Sequence, residues 1–369
     1  MNFTRSSLLT FVLLPLCIIL PGVLQLFENQ GEKIKIGLLV SDSRSVAAVH
    51  GAELAILEAN REGGLNGVPF ELQTRVMEGP WGTGSKEAVS LIFDEKVWAI
   101  LGSHDGRNAH IVEQAATKAN VVFVSAWAAD PTLSQAFVPW FFNCIPTDRQ
   151  QAQSIFDDIF IHKKYEKVAV IYDESYDSDM ALKNLTDIIK ASGEKDLSRF
   201  LIDQHNDPSL LIRDISRSDA ECIVIFCKPS AAVELIRSFR QKKMELPVYG
   251  SLALLNENEL TDQELSEYDN IVSVPSCIFS ITYLDNFRRE YQKAFNRTPG
   301  LVASFAFDGM KALTEAIKTA GSPDREKIQR SLQNMHLEGI TGIISFDDKG
   351  NRKGPFKMAP VKNRIPSIF

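Results

Sequence analysis

The chain has no surplus of positive charge: Lys and Arg total 40 against 47 Asp and Glu, a net charge of −7. Without a Lys/Arg-rich patch, a partner held through a phosphate backbone is excluded, so no nucleic-acid role is expected. Cysteine is scarce too. Beyond the N-terminal leader only Cys144, Cys222, Cys227 and Cys277 remain, and no two of them form a C-x-x-C pair. Cys222 and Cys227 flank one apolar strand, where an extended backbone holds them too far apart to bridge. The four thiols read as small buried hydrophobes, with a disulfide left open as the alternative. The six His are scattered, so no metal site is expected. No G-x-S-x-G elbow, P-loop, H-E-x-x-H or G-x-G-x-x-G follows a strand, which argues against an enzyme and against a bound cofactor. Low-complexity tracts are absent as well, and 44% of the 369 residues are hydrophobic, enough for two domains with their own cores.

At the N-terminus, Arg5 precedes an uncharged stretch from Leu8 to Phe27. A positive charge followed by an apolar run is the layout of a secretory leader. The run is also just long enough to span a bilayer. Pro15, Pro21 and Gly22 interrupt it, and Cys17 sits in a poor lipobox. A cleaved signal, a retained anchor and a lipid attachment therefore all stand open for residues 1–30, and each exports the remainder. A periplasmic or extracytoplasmic location follows, with the membrane touched only through this leader.

From Lys33 onward, β-branched runs alternate with helical periodicity. KIKIGLLV at 33–40 reads as a strand, and Val46 to Asn60 as a helix stopped by Gly63-Gly64. Further strands are expected at 70–77, 97–101 and 121–125, separated by helices at 85–93 and 109–119. Such strand–helix repetition argues for a parallel sheet covered on both faces. The pattern restarts near Pro146–Asp148, with KVAVIY at 167–172 and ECIVIF at 221–226 as strands. The expectation is an α/β chain of two lobes: 31–147 with about 275–335, and 148–274 with about 336–369. The end, Gly342 to Phe346 and Phe356 to Val361, reads as a hairpin around Asp348-Lys349-Gly350-Asn351.

Four segments then carry a resemblance. Asn60 to Glu71 (NREGGLNGVPFE), Gly102-Ser103 with Ser125 and Asp130-Pro131, Lys167 to Asp173 (KVAVIYD), and Gly339 to Gly354 (GITGIISFDDKGNRKG) occur in order. Together they resemble the type I periplasmic binding proteins, the leucine/isoleucine/valine-binding class that serves ABC importers. The resemblance implies two Rossmann-like lobes joined by a three-segment hinge, a small-molecule ligand in the cleft between them, and an ABC transporter permease as partner. A sensory ectodomain acting through a separate membrane partner is the alternative.

In open parallel sheets, ligands bind beyond the carboxyl ends of the strands. The loops there offer Ser41 and Ser43 after the first strand, Ser103, His104 and Asp105 after the third, and Ser125 and Trp127 after the fourth. The second lobe offers Tyr172, Tyr176, Lys228 and Ser251. The resemblance implies that Tyr176 closes over the ligand and that Phe307, with Asp308, lies near the interlobe junction. It also implies a Ser and a Thr for an α-carboxylate at positions here held by Gly106 and Ala129, and an acid for the ammonium where Leu252 stands. With all three missing, a standard α-amino acid is not the expected ligand, since buried charges without partners are expensive. The aromatic and mixed-polar set that replaces them suits an organic acid, an amide or an aromatic solute.

Overall fold

The computed structural model describes residues 33–367 apart from 81, 136–138, 194–196, 204–207 and 278–280. The leader and Trp81, a candidate rim residue on the loop after the second strand, lie outside the described residues. The first lobe opens with β1 (Ile34–Val40), α1 (Val46–Arg61), β2 (Phe70–Val76), α2 (Thr83–Phe93), β3 (Ala99–Ser103), α3 (Gly106–Lys118), β4 (Val122–Ser125) and β5 (Phe141–Asn143). These strands form a parallel five-stranded sheet in the order β2-β1-β3-β4-β5. The three-residue β5 was not expected from the sequence, being too short for a period to show.

The second lobe runs through α4 (Asp148–Phe156), β6 (Val168–Tyr172), α5 (Tyr176–Ser192), β7 (Ser198–Leu201), α6 (Pro208–Arg217), β8 (Cys222–Phe226), α7 (Pro229–Gln241), β9 (Val248–Gly250), α8 (Asp262–Ser266) and β10 (Val272–Ser276). Strand β8, CIVIF, is buried along its whole length because helices cover both faces of its sheet. Its period of two sends Ile223 and Ile225 into one core and Cys222, Val224 and Phe226 into the other. All four cysteines among the described residues are free and buried. Burial pushes the Cys144 and Cys222 thiols up to about 12, so they are inert at neutral pH.

The chain then returns to the first lobe as α9 (Ile281–Phe295), α10 (Leu301–Ala320) and α11 (Arg325–Gln333). Helix α10 is apolar nearly all round and correspondingly buried. It packs on α1 so closely that a Cβ at Gly51 would run into the Ala303 carbonyl. The closing elements are β11 (Leu337–Gly339), β12 (Gly342–Ile344), β13 (Lys357–Lys362) and β14 (Ile365–Pro366).

The expected terminal hairpin takes a different form. Strand β12 pairs with β11, while β13 joins β10 antiparallel and extends the second sheet to β14-β13-β10-β9-β8-β6-β7. Between them Asn351 bridges Asn143, and the Gly350 carbonyl accepts from the Asn143 N–H at 2.8 Å. Residues 337–351 therefore lie with the first sheet, and the last crossing falls between Asn351 and Lys357 rather than near 336. The chain passes between the sheets three times, after β5, after β10 and before β13.

Arg352 fastens this path. Its side chain is 1% exposed and donates to the Cys144 carbonyl at 2.9 Å, the Thr341 hydroxyl at 2.7 Å and the Thr341 carbonyl at 2.9 Å. The same Thr341 hydroxyl donates to Asp308 Oδ2 at 2.5 Å, and Asp308 also accepts from the Ile340 and Thr341 N–H groups at 2.8 Å each. Burial pushes the Asp308 carboxyl up, and the nearby guanidinium and these donors oppose that push. Removing one member of such a buried set leaves an uncompensated charge. Arg352→Met is expected to lose about 3–5 kcal/mol of stability in urea unfolding; a loss under about 1 kcal/mol would mean the network does not fasten the crossing segments.

Candidate functional site

The carboxyl ends of the parallel strands of the two sheets face each other across a cavity of about 200 Å³. Trp127, on the loop after β4, forms the apolar wall, with Ala129 and Ile145 beside it. From the second lobe come Lys228, at the N-cap of α7, and Ser251, at the end of β9. A larger hollow of about 640 Å³ lies beyond β6, β7 and β8, lined by Asp173, Leu201 and Glu234 among others. It takes no residue from the first lobe, so it encloses nothing between the two.

Three carboxylates also reach the cavity: Asp148, Asp177 and Glu259. Asp148, the first residue of α4, is 7% exposed, and no donor among the described residues reaches its carboxylate. Burial drives its pKa well up, and the Asp177 and Asp130 charges add to the push. Asp177 sits in the first turn of α5. Burial, then the Asp105 charge, raises it to about 6, against the opposing pull of the Gly106 N–H. Glu259 is raised by burial despite a hydrogen bond from Asn256. Lys228 is the sole cation lining the cavity among the described residues.

Polar contacts join the lobes beside this cavity. The Tyr176 hydroxyl donates to Asp130 Oδ2 at 2.6 Å, and the Gly106 N–H donates to Asp177 Oδ1 at 3.1 Å. Arg107 lies over the Tyr176 ring, its guanidinium carbon 5.6 Å from the centroid. Space at Gly106 is tight, because a Cβ would press on Asp130, Asp177 and Tyr176 at 3.0–3.1 Å and each would have to shift by a few tenths of an ångström. From the second lobe, the Glu257 carboxylate accepts from the N–H groups of Gly300, Val302 and Ala303 at 2.8–3.1 Å. Asn258 Oδ1 accepts from the Ala47 N–H at 3.0 Å.

Of the residues expected from the sequence, Trp127, Lys228 and Ser251 line the cavity, and Tyr176 bridges the lobes beside it. The others lie elsewhere. His104 turns away from the cleft: its ring is 1% exposed and lies against Phe123, centroids 6.0 Å apart. Gly102 explains this, since the ring fills the space that a side chain there would occupy. Asp105 caps α3, accepting from the Asn108 N–H at 2.9 Å and its amide at 2.7 Å. Ser125 closes a tight turn on Ala128, its hydroxyl accepting from the Ala128 N–H at 3.1 Å. Phe307 is a core residue of α10, packed on Phe287 with centroids 5.1 Å apart. Ser103 is buried at the end of β3, Tyr172 packs against the second lobe's core, Ser41 is half-buried and Ser43 is exposed; none of the four lines the cavity. At the three departures, Gly106 offers only its backbone, Ala129 lines the cavity with a methyl, and Leu252 points into the core while its N–H donates to Gln151.

Sequence reasoning missed Asp148, Asp177 and Glu259, whose only signal was an acid near a helix start or in a loop, where a role in capping or solvation suffices. It also missed His110, whose Nε2 lies 2.9 Å from Asp130 Oδ2. The bond to Asp130, then the Glu113 carboxylate 3.6 Å from Nδ1, raises His110 to about 9. Burial pushes Asp130 up, yet bonds from His110, Tyr176 and Thr132 outweigh it and hold the carboxyl at about 2. The signs follow from linkage. The raised His110 contributes stability that is complete below its ordinary value of 6.5 and is lost as pH rises through about 9. The depressed Asp130 contributes stability that is complete above 3.8 and is lost as pH falls through about 2. Melting temperatures measured from pH 6 to pH 10 are expected to fall less in His110→Gln than in the parent protein; equal slopes would contradict this coupling.

The whole arrangement has counterparts among known proteins. A family model described as periplasmic binding protein matches residues 33–363. The Leu/Ile/Val-binding protein homolog 1 of Brucella abortus is 22% identical over 335 residues, covering 87% of this chain and 88% of that protein. The branched-chain amino acid transporter substrate binding protein LivJ of Streptococcus pneumoniae, solved in complex with isoleucine, superposes with a TM-score of 0.77. It shares 21% identity and covers 91% of this chain and 98% of its own. A solute binding protein of an ABC transporter from R. palustris, solved with benzoate, has a TM-score of 0.76 at 16% identity, over 91% and 95% of the two chains. With nearly every described residue inside the matched span, the chain belongs to the periplasmic binding protein family.

Proposed function

We propose that this protein is the solute-binding component of an ABC importer, capturing a small molecule other than a standard α-amino acid between its lobes outside the cytoplasm. The observation that carries the reading is the cavity of about 200 Å³, walled by Trp127 of one lobe and by Lys228 and Ser251 of the other. A site shared by two lobes ties ligand capture to lobe closure, because the ligand's binding energy favours the form in which both walls touch it. The family resemblance supplies the importer; the cavity chemistry supplies the kind of ligand. Gly106, Ala129 and Leu252 stand where the family resemblance implies a hydroxyl pair for an α-carboxylate and an acid for its ammonium. An indole wall facing a largely polar lining suits an amide or an aromatic solute of modest size.

The test is thermal unfolding of the full chain against a library of small solutes that includes the standard amino acids. A ligand bound only by the folded state stabilises it by about 2.7 kcal/mol at a hundredfold excess over its dissociation constant. A rise in melting temperature with a solute that is not an α-amino acid is the expected result. A rise with leucine would overturn the ligand assignment, and no rise with any solute would overturn the capture role. Trp127→Ala is expected to weaken the hit by about tenfold or more, since a buried aromatic wall contributes upward of about 1.5 kcal/mol.

A further inference from the structure

The N-termini of helices α1, α3 and α10 all belong to the first lobe, and each is met by an acceptor from the second. Glu257 takes the N-cap N–H of Gly300 and two N–H groups of α10, Asn258 takes one of α1, and Asp177 takes the first of α3. A helix N-terminus is otherwise where a ligand anion is welcome, because its free N–H groups and dipole both favour negative charge. In this protein those positions are already satisfied from within. The one at α3 lies at the cavity itself, since Asp177 both bonds Gly106 and lines the space beside Trp127.

A ligand carboxylate entering here would also meet a hostile field. Asp177 and Glu259 line the cavity, where Lys228 is the sole cation among the described residues, while burial pushes Asp148 beside them toward its neutral form. Asp148 in particular is 7% exposed and lacks a donor among the described residues. A buried acceptor without a donor is costly, and a cationic or N–H-bearing ligand relieves that cost.

Resting on the solute-binding reading above, we propose that Asp177 is the specificity-determining residue of the cleft. Its carboxylate takes the place of a ligand carboxylate at the N-terminus of α3, so the site selects a small carboxylate-free solute bearing a protonated amine. The residue acts by exclusion as much as by attraction: it occupies the donor that an anionic ligand needs and repels the charge that such a ligand brings.

The experiment uses three probes of one shape, isoamylamine, isovaleramide and isovalerate, titrated calorimetrically into the full chain at pH 7.5. The parent protein is expected to bind the amine at least about tenfold more tightly than the carboxylate, the size of one charge-assisted hydrogen bond. Asp177→Ala is expected to narrow or invert that ratio by about tenfold, while affinity for the amide changes little. Asp177→Asn, nearly isosteric, gives the same reading should the alanine variant fail to fold. A parent protein that binds isovalerate as well as isoamylamine, with a ratio unmoved by either substitution, overturns the role of Asp177 and leaves solute capture intact. Binding of none of the three overturns the amine assignment, and the solute library then decides the capture role separately.

Discussion

The buried Arg352 is the constraint on which the two-lobed arrangement rests. A guanidinium in an apolar interior must spend its donors on fixed acceptors, and the ones it finds belong to separate parts of the chain: the Cys144 carbonyl beyond β5, and Thr341 and Ile343 of the returning segment. Thr341 passes the connection to Asp308 on α10. Two of the three passages between sheets thereby converge on one set of hydrogen bonds next to the first lobe's core. Because Asp308 and Arg352 are both withdrawn from water, each is tolerable only with the other nearby, so the segments they join are held in one relation. The lobes can then present their strand ends to each other with a reproducible gap.

The cleft obeys the opposite electrostatic rule. Around Arg352 every buried charge has donors or acceptors in place, whereas Asp148 stands at the cavity wall with none among the described residues. Stability alone does not account for such a group, since burial of an unpaired carboxylate works against folding. Under the proposed solute-binding function, a donor on the ligand would be the missing partner. The bridge between Tyr176 and Asp130 completes the picture, since it spans the two lobes using groups of the chain alone.

Much of the fold was legible because its signals are local and repeated. The apolar runs of β1, β6 and β8, the helical spacing between them and the restart near Pro146 all follow from burying a parallel sheet on both faces. What escaped were features set by tertiary context. Strand β5 is three residues long, and the path after Ile344 depends on where Arg352 is buried, which no window of sequence reveals. The site was legible in part for the same reason. A Trp on a loop beyond a strand and a Lys opening a helix are visible candidates, and they do meet at the cavity. His104 looked equally promising, but its direction is decided by the missing side chain at Gly102. Asp177 and Asp148 gave no distinctive signal, because an acid in the first turn of a helix is ordinary until one sees what lies opposite.

The Glu257 clasp has a mechanical consequence. Its carboxylate belongs to the second lobe and holds the N–H groups of Gly300, the N-cap, and of Val302 and Ala303 in the first turn of α10, which belongs to the first. Separating them would strand three donors at once, each costly to leave unpaired, so opposite strains on the two lobes meet resistance at Gly300. The clasp thus adds a second fixed point, apart from the three crossing segments, at which the two lobes resist being parted.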